Sequence, residues 1–485
     1  MHQSLPIEPF HASPASGARR RLLLLTYHFP PGQAVGALRW QKMSRVAAER
    51  GWALDVVTLS PESLRSRDPA GLKDLAPGIR VYGVPQTELV RERVERWAWQ
   101  LYRRFKRTRK SAPAPHPAHP AASSAPPAVG ARSSIADAKR AYYALLETAR
   151  DRRWALAASA LARELGRRND YSALITCGPP HMIHWAGERT AASLGIPFAM
   201  DLRDPWSQVE RLSDHFNSPL WYVRAARYEN RAVAGAGLIV MNSEPARAAM
   251  SRAYPAAAGR IITVMNGFDE VEPAPMRTAS SRFLMVFAGS ISLDRNPGSL
   301  LRAAARLVGT LGLSPDQFRL EFVGNVGSLD PADPASIAAH ARALGIADFV
   351  SVGGFRPRGE LAELLARATV LVSLYQDSRT AIPSKIFEYM QQDAWILTFA
   401  EPESATELLL RGSDADVLPP DDDEALIATL TRRYRQFAAG ERPARLARNP
   451  EFSRRTQATR LFDRLDSLLP APGAEAHAGQ PVLAR

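Results

Sequence analysis

The feature that most constrains this chain is a rhythm of short, nearly all-apolar runs alternating with amphipathic stretches at helical spacing. Strand candidates run first at 21–27, 54–59, 79–84, 172–176, 197–201, 237–241 and 261–265. A second series follows at 283–288, 319–323, 349–352, 369–374, 395–399 and 415–418. Helical segments such as 37–50, 182–194, 298–309, 358–368, 384–391 and 423–436 lie between them. Strands apolar on both faces and separated by helices belong to parallel sheets covered on both sides. Thirteen strands are too many for one doubly wound sheet, and the series breaks at the proline- and polar-rich stretch 271–281. The fold class expected is therefore α/β, with two Rossmann-like parallel-sheet domains at 20–270 and 282–451. Segment 271–281 reads as the interdomain linker, and a further helix over 452–469 follows both domains. Residues 1–19 and 470–485 read as disordered ends.

Composition narrows the class. Of 485 residues, 46% are apolar and 23% charged, which supplies full-sized cores and excludes a wholly disordered or collagen-like chain. Cys177 is the single cysteine, so no internal disulfide forms and a reducing, cytoplasmic setting is expected. No apolar run approaches the ~20 residues of a spanning helix, and the polar start lacks the pattern of a secretory signal. A net charge of +13 can signal nucleic acid or an anionic membrane, but only six of the cations are lysine, a bias that points to genome composition.

Charge is concentrated at 88–110, where nine Arg or Lys face three Glu. Val90, Val94, Trp97, Leu101 and Phe105 form an apolar stripe there. The segment reads either as a surface helix packed on its domain or as a basic amphipathic helix on an anionic membrane surface. No specific nucleic-acid partner is expected, because aromatic and basic residues interleave nowhere else. The Pro/Ala-rich segment 111–134 reads as a flexible insertion.

In tandem Rossmann-like domains ligands sit past the carboxyl ends of the strands, so the residues there matter most. After the first strand, Gly32 and Gly36 allow close backbone approach and Arg39 follows one turn later. The stretch is not GxGxxG and no acidic residue closes the second strand, which disfavours a dinucleotide. Past 172–176 comes Cys177-Gly178-Pro179-Pro180-His181, and past 197–200 comes Asp201-Leu202-Arg203-Asp204. Asp201 and Asp204 flanking Arg203 can hold sugar hydroxyls or move a proton, or can form a buried brace. His181 can act beside them or merely cap a helix.

In the second half, Gly289 and Ser290 end a strand, and Arg295 and Asn296 precede Pro297 at a helix start. Pro383, Ser384 and Lys385 open another helix, with Glu388 spaced to accept two hydrogen bonds from a ribose diol. Ser404 opens a third. Together these positions describe a nucleotide-diphosphate pocket.

The stretches HFPPGQAVGALR (28–39), CGPPHMIH (177–184), DLRDPW (201–206), NGFD (266–269), FAGSISLDRNP (287–297) and IPSKIFEYM (382–390) resemble the GT-B glycosyltransferases. The resemblance is specifically to the retaining group 4 family of the group 1 type, and spans roughly 20–455. It implies a GT-B fold, two domains facing across a cleft, and transfer of a sugar from a nucleotide-diphosphate donor with retention. The acceptor implied is a glycan or a lipid-linked glycan, in cell-surface polysaccharide synthesis. On this resemblance Gly289, Ser290, Arg295, Asn296, Arg379, Thr380, Pro383, Ser384, Lys385, Glu388 and Ser404 line the donor site. Gly32, Gly36 and Arg39 meet the acceptor, and Asp201, Arg203, Asp204 and His181 stand at the reaction centre. The family usually carries glutamate where this chain has Thr380 and arginine where it has Ser290, so a single cationic arm, Arg295, is left there, with Arg379 as a substitute. No metal and no cofactor beyond the nucleotide sugar are implied. A nucleotide-sugar epimerase of the same fold and a non-catalytic binding protein are the alternatives.

Overall fold

The computed structural model describes residues 8–14, 17–64, 66–87, 135–210, 212–269, 281–291, 297–330, 332–374, 378–420, 422–443, 445–446 and 449–469. The basic segment 88–110, the insertion 111–134, the linker to residue 280 and the tail from 470 lie outside the described residues.

The first sheet has the order β1-β4-β3-β2-β5-β6-β7-β8. Its strands are β1 (His11–Ala12), β2 (Arg20–Thr26), β3 (Trp52–Leu59), β4 (Ile79–Val84), β5 (Ala173–Gly178), β6 (Phe198–Leu202), β7 (Leu238–Met241) and β8 (Ile261–Thr263). All pairings are parallel except β1 on β4. The second sheet is parallel throughout, in the order β11-β10-β9-β12-β13-β14. Its strands are β9 (Phe283–Ala288), β10 (Phe318–Val323), β11 (Val350–Gly353), β12 (Val370–Ser373), β13 (Trp395–Phe399) and β14 (Asp416–Leu418). This is a two-domain α/β fold of the GT-B kind. In each sheet the strand order reverses once, between β2 and β5 and between β9 and β12, and such a reversal opens a crevice at the strands' carboxyl ends.

The leucines of β2 show how sequence makes layers. Leu22 and Leu24 point to one side, where α1 (Val35–Glu49) and α12 (Arg454–Asp466) pack. Leu23 and Leu25 point to the other, against α2 (Ile135–Gly166), α3 (Met182–Leu194), α4 (Pro219–Gly235) and α5 (Glu244–Ala253). The second sheet is covered likewise. On one side lie α6 (Gly298–Leu311), α7 (Ile337–Ala343) and α11 (Asp423–Ala438). On the other lie α8 (Arg358–Arg367), α9 (Ser384–Tyr389) and α10 (Ala405–Leu410).

Two elements depart from the sequence reading. Residues 1–19 are not wholly disordered: β1 adds to the sheet edge and the Ser13 hydroxyl donates to the Ala76 carbonyl at 2.7 Å. A two-residue strand carries no periodicity to read. Helix α2, which the apolar pattern did not single out, buries Trp154, Leu161 and Leu165 among small residues such as Ala144, Ala155, Ala158 and Ala162.

The chain crosses between the sheets twice at one place. The Phe268 amide donates to the Phe452 carbonyl at 2.9 Å, and the Arg454 amide donates to Phe268 at 2.7 Å. Helix α12 then docks on the first sheet, its Phe462 ring 6.4 Å from Trp40 and 6.3 Å from Trp52. Gly267 sits at φ 69°, and a β-carbon there would stand 2.8 Å from the Arg454 nitrogen. Gly267→Ala is therefore expected to lower the free energy of unfolding by about 2 kcal/mol or more, read from urea midpoints.

Candidate active site at the facing strand ends

At the first crevice, α1 begins just past β2, and Gly36 in its first turn leaves the space that the Arg203 guanidinium fills. Arg203 follows β6. Its Nε donates to the Gly178 carbonyl at 2.7 Å and its Nη2 to Pro179 at 3.3 Å, so backbone oxygens hold it in place. It makes no salt bridge among the described residues. Gly178 is needed for the same crowding: a β-carbon there would lie 2.6 Å from His184 Nε2 and 2.7 Å from His181 Nδ1. His181 precedes α3 and stacks between Trp206 and His184, with ring centroids 5.6 Å apart in both pairs. Gly32 lies in the β2–α1 loop and bridges to Arg67.

Burial keeps this cluster of imidazoles neutral. Desolvation, helped by the Arg203 charge, lowers His28 to about 4 and His184 to about 3. His181 falls well below the ordinary histidine value for the same reason, with His184 and Arg203 adding to it. Asp204 is open to solvent but walled by protein, and that crowding raises its carboxyl against the pull of Arg203 and Arg39. Cys177 is buried and pushed up to about 12, no setting for a thiolate nucleophile.

Two residues expected at this crevice are elsewhere. Asp201 is sealed from solvent, and its Oδ1 and Oδ2 accept from Arg39 Nη2 at 2.8 Å and Arg39 Nε at 2.9 Å. Trp40 Nε1 also donates to Asp201, at 2.9 Å. Arg39, equally buried, gives its remaining hydrogens to the Val264 and Met265 carbonyls and to Asn266 Oδ1. Asp201 is thus no acid or base and Arg39 no acceptor ligand. They are a buried brace between α1, β6 and the turn that ends the first domain. The sequence left open a brace between these carboxylates and Arg203; the structure builds its brace with Arg39 instead, while Arg203 binds the Gly178 and Pro179 carbonyls.

At the second crevice, Gly289 ends β9 at φ 150°, and the Lys385 ammonium stands 2.6 Å from where a β-carbon would be. The same ammonium lies 4.3 Å above the Phe287 ring. Gly324 packs directly on the Gly289 carbonyl. Lys385 comes from α9, which follows Pro383 and starts at Ser384, and Glu388 lies exposed one turn further on. Tyr389, which the sequence reading quoted without a role, anchors that helix: its hydroxyl donates to the Ala288 and Val372 carbonyls at the ends of β9 and β12 and accepts from the Ala288 amide. Ser290 follows directly after Gly289. Arg295 and Asn296 lie outside the described residues.

Ser404 and Arg379 are corrections. The Ser404 hydroxyl is buried and caps α10, accepting from the Glu407 amide. The Arg379 guanidinium binds Glu401 Oε2 and the Pro402 carbonyl, each at 3.1 Å, so it is not a second arm beside Lys385. Its backbone instead joins the two crevices. The Arg379 amide donates to Glu210 of the first domain at 2.6 Å, and Thr380 accepts from the Ser243 hydroxyl through its carbonyl. The loop carrying Arg203 and Asp204 therefore faces the loop leading into α9.

This arrangement sets a cation over a glycine in each domain, Arg203 over Gly36 at a helix start and Lys385 over Gly289 at a strand end. Residues 269–449 match the family described as Glycosyl transferases group 1. That stretch includes the whole second sheet and Lys385. The chain is 29% identical over 208 residues to a D-inositol 3-phosphate glycosyltransferase of Thermobifida fusca, covering 40% of this chain and 47% of the relative. It spans between 31% and 48% of the length of the curated relatives it matches. The fold extends further than that similarity. HepE of Anabaena, solved with UDP, superposes over 92% of this chain and 100% of its own at 15% identity and a TM-score of 0.56. The lipopolysaccharide outer core galactosyltransferase WaaB superposes over 93% and 100% at 11% identity and a TM-score of 0.53.

Two outcomes follow from the geometry. Asp201→Asn strips the charge that balances buried Arg39 and should cost about 3 kcal/mol or more in urea unfolding, with nucleotide affinity unchanged by calorimetry. His28, His181 and His184 stay neutral in the fold but titrate near 6.5 when unfolded. Below that pH the unfolded chain binds more protons, so stability is full above 6.5 and falls as pH drops towards 4. Urea midpoints at pH 7.5 and 5 should differ accordingly, by less in His184→Asn.

Proposed function

We propose that this protein moves a sugar from a nucleotide-diphosphate donor, with retention, to a glycan or lipid-linked acceptor in cell-surface polysaccharide synthesis. The observation that carries the reading is the Lys385 ammonium held over Gly289 at the reversal point of the second sheet, in the domain whose Arg379–Thr380 backbone meets Glu210 and Ser243 of the first. A diphosphate lying on that bare strand end meets the ammonium directly, and Glu388, one turn on, can take the ribose hydroxyls. HepE was solved with both UDP and UDP-glucose, which supports a uridine donor. WaaB is a lipopolysaccharide outer core galactosyltransferase, which supports a lipid-linked acceptor.

In this mechanism the bond from the anomeric carbon to the diphosphate breaks while the acceptor oxygen bonds to the same face. The acceptor proton passes to the departing phosphate oxygen. Lys385 stabilises the charge growing on that phosphate, the role that most accelerates such a step. Neutral His181 can accept a hydrogen bond from a sugar hydroxyl, and Asp204 and Arg203 position the acceptor. The leaving charge is met by an ammonium, so the reaction proposed needs no divalent ion. The basic segment 88–110 would hold the enzyme peripherally at the inner face of an anionic membrane.

Lys385→Ala should weaken UDP binding at least tenfold by calorimetry, lower turnover of a UDP-sugar by about 10²–10³, and leave the melting temperature within a few degrees. Turnover of the unaltered protein should survive EDTA, and NMR of the product should show the donor's anomeric configuration. Unchanged UDP affinity in the variant would overturn the assignment.

A further inference from the structure

Helices α2, α3 and α4 cover one side of the first sheet, and their outer surface carries five arginines in an unusual setting. Arg152 of α2 and Arg189 of α3 lie with their guanidinium carbons 5.6 Å and 5.5 Å from the ring centre of Trp185. Tyr228 of α4 meets Trp185 edge-on at 5.2 Å, so one aromatic ridge ties the three helices together. Along α4, Leu220, Arg224, Arg227 and Arg231 recur at i, i+4, i+7 and i+11, the spacing of one helical stripe. Among the described residues none of Arg152, Arg189, Arg224, Arg227 and Arg231 makes an ion pair. The Arg224 Nε is buried and has no hydrogen-bond partner. Elsewhere on this protein surface arginines are commonly matched, as Arg167 and Arg168 are by Glu164 and Arg411 is by Glu403 and Glu407. Here the charge is left open.

The same face exposes apolar side chains. Val223 is 68% exposed, Leu156 39% and Leu220 36%. Leu156 follows Arg152 by one turn of α2, and Val223 sits beside the arginine stripe of α4. A soluble polyanion is bound by charge alone and gives no reason to keep Val223 and Leu156 uncovered. Arginines beside aromatic rings and bare aliphatic side chains match the headgroup layer of an anionic bilayer, where guanidinium groups meet phosphates and short apolar groups enter the acyl boundary. The position also fits. Helix α3 starts just after His181, by the strand ends, and Trp185 lies in its first turn, so the face borders the acceptor side of the cleft.

We propose that the outer face of α2, α3 and α4 docks this protein on an anionic lipid surface, independently of segment 88–110. The inference deepens the reading of a membrane-borne acceptor and rests on it for its purpose. Its test, however, reads lipid binding and not transfer.

Full-length protein is sedimented with vesicles of phosphatidylcholine containing phosphatidylglycerol, and with pure phosphatidylcholine as control. Each arginine near such a surface is worth roughly a fivefold change in partition at low salt. Arg152→Gln/Arg189→Gln/Arg227→Gln should therefore lower binding to the anionic vesicles at least tenfold, both in the full chain and after deletion of 88–110. Val223→Ser should weaken vesicle binding and leave binding to dextran sulfate unchanged. UDP affinity should be the same in every variant, which separates this proposal from the donor-site assignment. Unaltered vesicle binding by the triple variant would overturn it. So would loss of all binding on deleting 88–110 alone. An equal loss of dextran sulfate and vesicle binding with no effect of Val223→Ser would assign the face to a soluble polyanion instead.

Discussion

The architecture depends on one buried charge pair. Arg39 brings a full positive charge into the first domain's interior, where burial alone would lower its pKa, and Asp201 more than restores it through two hydrogen bonds and direct attraction. The remaining guanidinium hydrogens reach three oxygens of residues 264–266. A single side chain of α1 thus fixes the end of β6 and the turn by which the chain leaves the first sheet. Asp269, three residues beyond Asn266, continues the arrangement, binding Lys42 at 2.9 Å and Arg454 at 2.7 Å. Its carboxyl is held below the usual range: burial opposes this, and the two cations outweigh it.

With that frame fixed, both halves of the cleft use the same device. A glycine at a strand or helix end leaves a hole the size of a side chain, and a long cation from another segment occupies it: Arg203 over Gly36, Lys385 over Gly289. Arg203 is oriented by backbone oxygens, and the Lys385 ammonium lies against an aromatic face. Arg203, held by carbonyls and in no salt bridge among the described residues, keeps its charge for a ligand, which is the condition for electrostatic preorganisation.

Much of this was legible in the sequence because it depends on local pattern. The apolar runs place the strands within a residue or two, and Gly289 and Lys385 stand out as a strand-end glycine and a cation at a helix start. What the sequence does not reveal is which polar side chains are already used. Asp201, Arg39, Ser404 and Arg379 have the residue types of a ligand site, yet each is consumed by a partner far away in the chain or by a helix cap. Burial and partner choice come from tertiary packing, which no spacing rule encodes. Helix α2 escaped notice for a related reason. Its buried side alternates Trp154, Leu161 and Leu165 with alanines and Ser159, whose hydroxyl lies 2.6 Å from that of Thr190 on α3, so the large apolar residues are diluted among small ones.

The double crossing at Phe268 and Phe452 has a mechanical consequence. Two chain segments hydrogen-bonded side by side at a single point form a pin, and α12 clamps one end of it to the first sheet through Phe462. Against sliding or twisting, the paired backbones and the Asp269 ion pairs resist together. Among the described residues, swinging about the pin is opposed by the Ser243–Thr380 and Glu210–Arg379 contacts. The two halves are thus built to open like a book along its spine, with the reacting atoms held between the pages.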